Sequence, residues 1–83
     1  MGFVKDMKAD ALAQSARKAV EAGRTVFALR LNMPSSQAGN LSGEIVDWSM
    51  AVEAIESEGW SLAEWSTASD AKGRAEVHAL FRR

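Results

Sequence analysis

The last third of this 83-residue chain constrains the fold more than any other segment. Gly59 follows a helical stretch, and glycine is the residue that most readily closes a helix in the left-handed conformation. Residues 60–67 then favour a strand, the polar residues 68–73 favour a turn, and residues 74–81 alternate as a second strand. A helix followed directly by a hairpin predicts an α+β fold.

A helix and a strand are predicted before this segment. Residues 6–22 are rich in alanine and other strong helix formers, and their apolar positions recur at helical spacing. Residues 25–31 alternate as a strand that places Phe27, Leu29 and Leu31 on its more hydrophobic face. A strand with one apolar face fits a sheet covered by a helix on that side.

A loop and a second helix follow. Residues 32–43 contain the only proline and several serines and glycines, and we expect this long loop to be mobile rather than functional. Residues 44–58 form the second helix, with Ser42 as its N-cap and Asp47 in its first turn. Its apolar stripe consists of Ile45, Trp48, Val52 and Ile55.

The predicted architecture is one domain, residues 1–83, with the element order α-β-α-β-β. A β-α-β unit places the first two strands parallel, so the C-terminal strand lies between them and the sheet order is 1-3-2. The second helix packs on one face of this core, residues 25–83. Residues 1–24 form a helical appendage that covers the other face, in its own chain or in a neighbour. The predicted structural core is Phe27, Leu29, Trp48, Val52, Ile55, Gly59, Trp60 and Leu62.

The composition excludes several classes of protein. The chain has no cysteine and one histidine, which rules out disulfides, thiolate metal sites and histidine-rich metal sites. No signal-peptide run and no membrane-spanning segment is present, so a cytoplasmic protein is expected. Because so short a chain buries a modest core, association is the remaining stabiliser, and we expect a homo-oligomer, most simply a dimer.

The near-neutral total charge hides an asymmetry along the chain. Residues 1–34 carry a net charge of +3, and residues 35–83 carry −4. These two segments should attract each other, within one chain or between two. The alternative is a chance scatter of solvated charges.

The run Glu58-Gly59-Trp60-x-Leu62, followed by a hairpin that ends in Leu80-Phe81-Arg82-Arg83, resembles a small bacterial family catalogued as domain of unknown function 4177. The resemblance covers residues 25–83. Residues 1–24 and the long loop before the second helix depart from it. It implies a compact β-α-β-β fold and supplies no catalytic residue, because that family has no established activity.

Motifs for catalysis are absent from the sequence. It has no phosphate-binding glycine loop, nucleophile elbow or metal-ligand spacing. His78 lies two residues from Glu76 on the same strand face, an arrangement that orients an imidazole for base catalysis. A solvent-facing strand histidine is the simpler interpretation. We therefore expect a non-enzymatic protein with no catalytic, cofactor-binding or metal site.

Trp65 carries the strongest signal of an interaction. Strict alternation places Trp60, Leu62 and Glu64 on one face, and Ala63 and Trp65 on the other. Either the first helix buries Trp65, or Trp65 anchors a subunit or partner contact. The candidate interaction surface is Trp65, Ala63, Arg74 and Arg82.

The expected function is a small, self-associating interaction module that contacts a second copy or another protein. The alternative is a nucleic-acid-associated accessory protein in which Arg74, Arg82 and Arg83 contact phosphates while Trp65 and Phe81 stack on bases. The acidic second helix makes nucleic acid the less favoured partner.

Overall fold

The computed structural model of the chain describes residues 3–33 and 43–83, with side chains from residue 9 onward. Its elements are α1 (Phe3–Glu21), β1 (Val26–Asn32), α2 (Val46–Glu56), β2 (Ser61–Ser69) and β3 (Ala75–Arg82). The predicted α-β-α-β-β order and the α+β class are confirmed. The predicted loop lies largely outside the described residues, as does the predicted N-cap Ser42.

The three strands form one antiparallel sheet in the order β1-β3-β2, as predicted. The C-terminal strand β3 pairs with both neighbours, which makes β1 and β2 the two edges and orients them parallel to each other. Leu29, Ala79 and Trp65 lie side by side across the sheet in this register. Cross-strand partners point to the same face, so the register decides which side chains share a surface.

The core lies between one face of the sheet and both helices. Its buried members come from every element except β2: Ala16 and Ala19 (α1), Leu31 (β1), Ala51 and Ile55 (α2), Trp60, and Val77, Ala79 and Phe81 (β3). α1 packs against α2. Alanines at these positions allow close approach of the two helices. Both helices pack against the same apolar face of the sheet.

The expectation that the first helix covers the opposite face of the sheet is therefore wrong. α1 belongs to the same layer as α2, where the indole Nε1 of Trp60 donates a hydrogen bond to the carbonyl of Ala16 at 3.0 Å. Arg17 and Glu58 join the two helical regions by a pair of 3.0 Å hydrogen bonds. None of the described elements covers the other face of the sheet, which we call the open face.

The predicted core residues differ in their burial. Ile55 and Trp60 are buried, whereas Phe27, Leu29, Trp48 and Val52 are partly buried and pack against the core. The prediction that Leu62 belongs to the core is wrong, because its side chain is 37% exposed on an edge strand that the helices scarcely cover. Gly59 is exposed as well, and its contribution is conformational.

Gly59 closes α2 with a φ of +99°, as the sequence predicts. A Cβ atom at this position would meet no atom within 4 Å beyond the adjacent residues of the chain. The requirement for glycine therefore comes from the backbone conformation alone. It turns the chain so that Trp60 enters the core immediately after the helix.

The N-terminus of α2 differs from the prediction. Ile45 occupies the N-cap position without a side-chain cap, so Glu44 precedes the helix, while Asp47 lies in the first turn as expected. Among the described residues, no helix is both long and apolar enough to cross a membrane.

Candidate interaction surface

β2 is an edge strand with an unpaired outer side. All nine of its residues are exposed, and β3 is the one strand that pairs with it. The backbone N–H of Leu62 also donates a 3.4 Å hydrogen bond to Oε2 of Glu56. The outer backbone N–H and C=O groups of such a strand are free to pair with another chain. Native edges are usually protected by lysine or proline, and β2 contains neither; Glu64 is its one charged residue. We call this unpaired side the β2 edge.

A β-bulge changes the faces of the β2 side chains. Leu62 lies opposite Phe81 and Glu64 opposite Leu80, which leaves Ala63 as the extra residue. An extra residue inverts the alternation beyond it. Trp65 therefore lies opposite Ala79, on the helix-covered face, together with Leu62. The prediction that Trp65 and Leu62 lie on opposite faces of the sheet is wrong for this reason. Glu64, which was predicted to share a face with Leu62, lies on the open face.

Two large hydrophobic side chains are exposed among the described residues, and both belong to β2. Leu62 is 37% exposed and Trp65 is 42% exposed. The Trp65 ring meets Trp48 edge to face, with 5.8 Å between the ring centroids and 72° between the planes. The indole Nε1 of Trp48 donates a 3.0 Å hydrogen bond to the carbonyl of Asn32, which fixes this ring above the end of β1.

These tryptophans form part of an open groove between α2 and β2. Ile45 and Val52 supply further apolar walls, and Glu44 and Glu53 supply carboxylates. The complete lining, which we call the α2–β2 groove, is Gly43, Glu44, Ile45, Trp48, Ser49, Val52, Glu53 and Trp65. Sequence reasoning missed this groove, because only the fold brings Trp48 and Trp65 together.

The half of the chain that contains the groove has no basic residue. Between residues 31 and 71 there is no lysine, arginine or histidine, and this stretch holds Glu44, Asp47, Glu53, Glu56, Glu58, Glu64 and Asp70. This signal is visible in the sequence and indicates a surface with a negative potential. The absence of basic residues therefore predicts an acidic surface in the part of the chain that forms the groove.

Two of these acids are paired with arginines from outside the stretch. Hydrogen bonds from Arg17 hold the pKa of Glu58 below its usual value. The backbone N–H of Arg74 lowers the pKa of Asp70, aided by the backbone N–H of Lys72 and by the Arg74 side chain. Arg17 and Glu58 form one contact between the basic and acidic segments within the chain.

The predicted surface residues are only partly brought together. Trp65 and Ala63 lie close on β2, with Ala63 in the bulge. Arg74 belongs to the β2–β3 turn, where its side chain contacts Asp70 at 3.1 Å. Arg82 lies at the far end of β3, which separates the two arginines by roughly 27 Å at ~3.4 Å per residue.

The residues of the nucleic-acid alternative are also dispersed. Phe81 is fully buried and offers no ring for stacking. The Arg83 guanidinium lies 5.8 Å from the ring centre of Trp60 and donates a 3.1 Å hydrogen bond to the carbonyl of Arg24. These residues do not form a continuous basic and aromatic surface.

The open face contains the one histidine. Nε2 of His78 lies 2.7 Å from Oε2 of Glu76, so the contact considered from the sequence is present. The Glu76 side chain is 9% exposed and that of His78 is 55% exposed. Arg30 and Ser66 flank His78 in register. Within residues 3–33 and 43–83, no three metal-ligating side chains converge.

Comparisons with protein-family models, with curated proteins and with solved structures each gave no match. The resemblance of residues 25–83 to domain of unknown function 4177 therefore stays a prediction.

Proposed function

We propose that this protein is a small interaction module that self-associates through the β2 edge, by antiparallel pairing of β2 with β2 of a second copy. One observation carries the proposal. The nine-residue exposed edge strand bears both large hydrophobic side chains that the described chain exposes, Leu62 and Trp65. Pairing would give partners to unpaired outer backbone groups of both strands and cover part of the exposed area of those side chains.

The side chains of β2 favour close approach of a second strand. Apart from Leu62, Glu64 and Trp65, the strand consists of serine, threonine and alanine. The two-fold axis of an antiparallel strand pair, perpendicular to the sheet, keeps the same face of both copies on the same side. The result is a six-stranded sheet with the helices of both copies on one side and with Leu62 and Trp65 near the axis.

The other edge of the sheet is less suited to pairing. β1 carries Arg30 near its middle, and a basic residue on an edge strand opposes strand addition. Its large apolar residues Phe27, Leu29 and Leu31 are buried or partly buried in the core. The exposed apolar area therefore favours β2. A chain of 83 residues also gains stability from association, because its own core is small.

The proposed dimer has a characteristic dependence on salt. It brings the α2 helices of two copies to the same side of the continued sheet, and α2 carries Asp47, Glu53 and Glu56 but no basic residue. Repulsion between like charges opposes association and is screened by salt. We therefore expect the dimer to strengthen as the salt concentration rises.

Analytical ultracentrifugation from low to high micromolar protein tests the proposal. The unmodified chain should dimerise, and Trp65→Ser and Ser66→Lys should each dissociate the dimer. Ser66 lies on β2 and points to the open face, opposite His78. The matched control is Ala28→Lys, which adds the same side chain to the same face at the β1 edge. This control should remain dimeric.

Two outcomes contradict the proposal. A chain that stays monomeric at high micromolar concentration and high salt does not self-associate. Dissociation by Ala28→Lys with an intact Ser66→Lys dimer would assign the contact to β1 instead. Circular dichroism of each variant confirms that any loss of the dimer is not a loss of the fold.

A further inference from the structure

The α2–β2 groove combines aromatic rings with carboxylates. Trp48 and Trp65 meet at 72°, so their rings form two walls of a corner, and Trp65 is open to solvent. Glu44 and Glu53 line the same groove, and neither forms an ion pair within the described chain. A positive group within about 6 Å of an indole ring is attracted to its face, and adjacent carboxylates add to that attraction.

We propose that the α2–β2 groove binds a basic side chain, an arginine or a lysine, of a partner peptide. The cation lies against the tryptophan rings between Glu44 and Glu53, and the apolar stem of the side chain contacts Ile45 and Val52. This inference goes beyond the proposed self-association, because every group of the groove comes from a single chain.

The partner's charge follows from the pairing of charges elsewhere in the molecule. Glu58 and Asp70 both belong to the stretch without basic residues, and each is paired with an arginine from outside it. Arg83 already lies over Trp60 at 5.8 Å, so the chain itself places a guanidinium on an indole ring. The groove presents both carboxylates and indole rings, and residues 31–71 contain no basic side chain that could bind to them.

The groove also bears on the proposed dimer. In the β2-paired arrangement, the two grooves lie on the same side of the sheet and flank the two-fold axis. Their carboxylates repel each other, and a bound cation neutralises this repulsion. A basic peptide should therefore bind the monomer and, where the dimer forms, strengthen it.

Nuclear magnetic resonance of the indole N–H groups tests the site. The probe is a short blocked peptide with two arginines in an alanine background, and the control probe replaces both arginines with the neutral isostere citrulline. The Trp48 and Trp65 indole signals should shift with the arginine peptide, whereas the Trp60 signal, buried against α1, should stay in place. The citrulline peptide should shift none of the three.

The double variant Glu44→Gln/Glu53→Gln should weaken binding of the arginine peptide about tenfold, on the order of two modest charge interactions. The matched control, Asp10→Asn/Glu21→Gln, removes the same charge from α1 and should bind as the unmodified chain does. Equal binding of the citrulline peptide, or unchanged affinity of Glu44→Gln/Glu53→Gln, would overturn the site.

The titration is repeated on the Ser66→Lys variant to separate this inference from the dimer. Shifts of Trp48 and Trp65 in that monomer support the groove even if self-association fails. A salt-stabilised dimer whose tryptophan signals ignore the arginine peptide would refute the groove and leave the dimer standing.

Discussion

Trp60 and Trp65 lie on one short segment of chain, yet their surroundings are opposite. Trp60 is 2% exposed, its N–H is bonded to Ala16, and its ring contacts Phe27 with 5.6 Å between centroids. Trp65 is 42% exposed and has Trp48 as its aromatic neighbour. Trp60 joins α1 to the sheet. Trp65 lies on an edge strand that pairs with one neighbouring strand.

This difference separates a stabilising region from a contact region. The ring of Trp60 is surrounded by α1, β1 and the C-terminal Arg83, so its surface is already used within the chain. Trp65 retains much of its surface, and an exposed aromatic residue beside an unpaired strand edge is typical of an interface. The comparison therefore predicts that the two tryptophans respond differently to the same substitution.

Trp60→Ala should have the largest effect on folding. Removing a buried tryptophan costs about 3–5 kcal/mol. A domain of this size has about 4–12 kcal/mol of stability at ~0.05–0.15 kcal/mol per residue, so the variant should lose a large share of its free energy of unfolding. Trp65→Ala should cost about 2 kcal/mol or less, because an open site leaves no closed cavity. Urea denaturation of both variants at low protein concentration measures the difference.

Equal losses in the two variants would break the comparison. In that case Trp65 would be as important to the monomer as Trp60, and its exposure would not indicate a contact surface. A folded Trp60→Ala variant with near-native stability would instead show that α1 is held by other contacts, such as Arg17 with Glu58.

Gly59→Ala should have the next largest effect, because Gly59 sets the direction in which the chain enters the core at Trp60. A non-glycine residue at a φ of +99° is strained, at a cost of about 1–3 kcal/mol. Gly59→Asn is the matched control, since asparagine tolerates positive φ better than alanine and also adds a Cβ. It should lose less stability in the same denaturation experiment.

Equal losses from alanine and asparagine at this position would contradict the strain account. Because no atom lies within 4 Å of the added Cβ, a clash would not explain that result either.

The element order and the strand order could be predicted because both depend on local signals. Apolar spacing identifies α2 through Trp48, Val52 and Ile55, and the β-α-β unit places β1 and β2 parallel on either side of β3. The docking of α1 could not be predicted in the same way. A stripe of alanines shows that a helix is buried, but it does not say against which face.

The candidate surface was predicted only in part, and a single residue explains why. The alternation of β2 reads correctly up to Leu62, but the bulge at Ala63 inverts it, and nothing in the local sequence marks this bulge. The sequence identified Trp65 as the residue to examine but assigned it to the wrong face. The α2–β2 groove depends on a tertiary contact between Trp48 and Trp65, which no local pattern contains.

The smallest expected effect concerns the attachment of α1 beside Trp60. Arg17 lowers the pKa of Glu58 in the folded chain, mainly through its hydrogen bonds. As the pH falls, the unfolded chain takes up the proton on Glu58 first, near its ordinary pKa of about 4.3. The contribution of the pair is therefore complete at neutral pH and declines as the pH falls through that value toward the lowered one.

Glu58→Gln should flatten this acid dependence, as measured by thermal melting between neutral and acidic pH. In an Arg17→Gln background the same substitution should change nothing further, because the partner is already absent. If Glu58→Gln alters the acid slope equally in both backgrounds, Arg17 is not the cause. The contact between α1 and the sheet would then depend on Trp60 and its bond to Ala16, which would sharpen the contrast with Trp65.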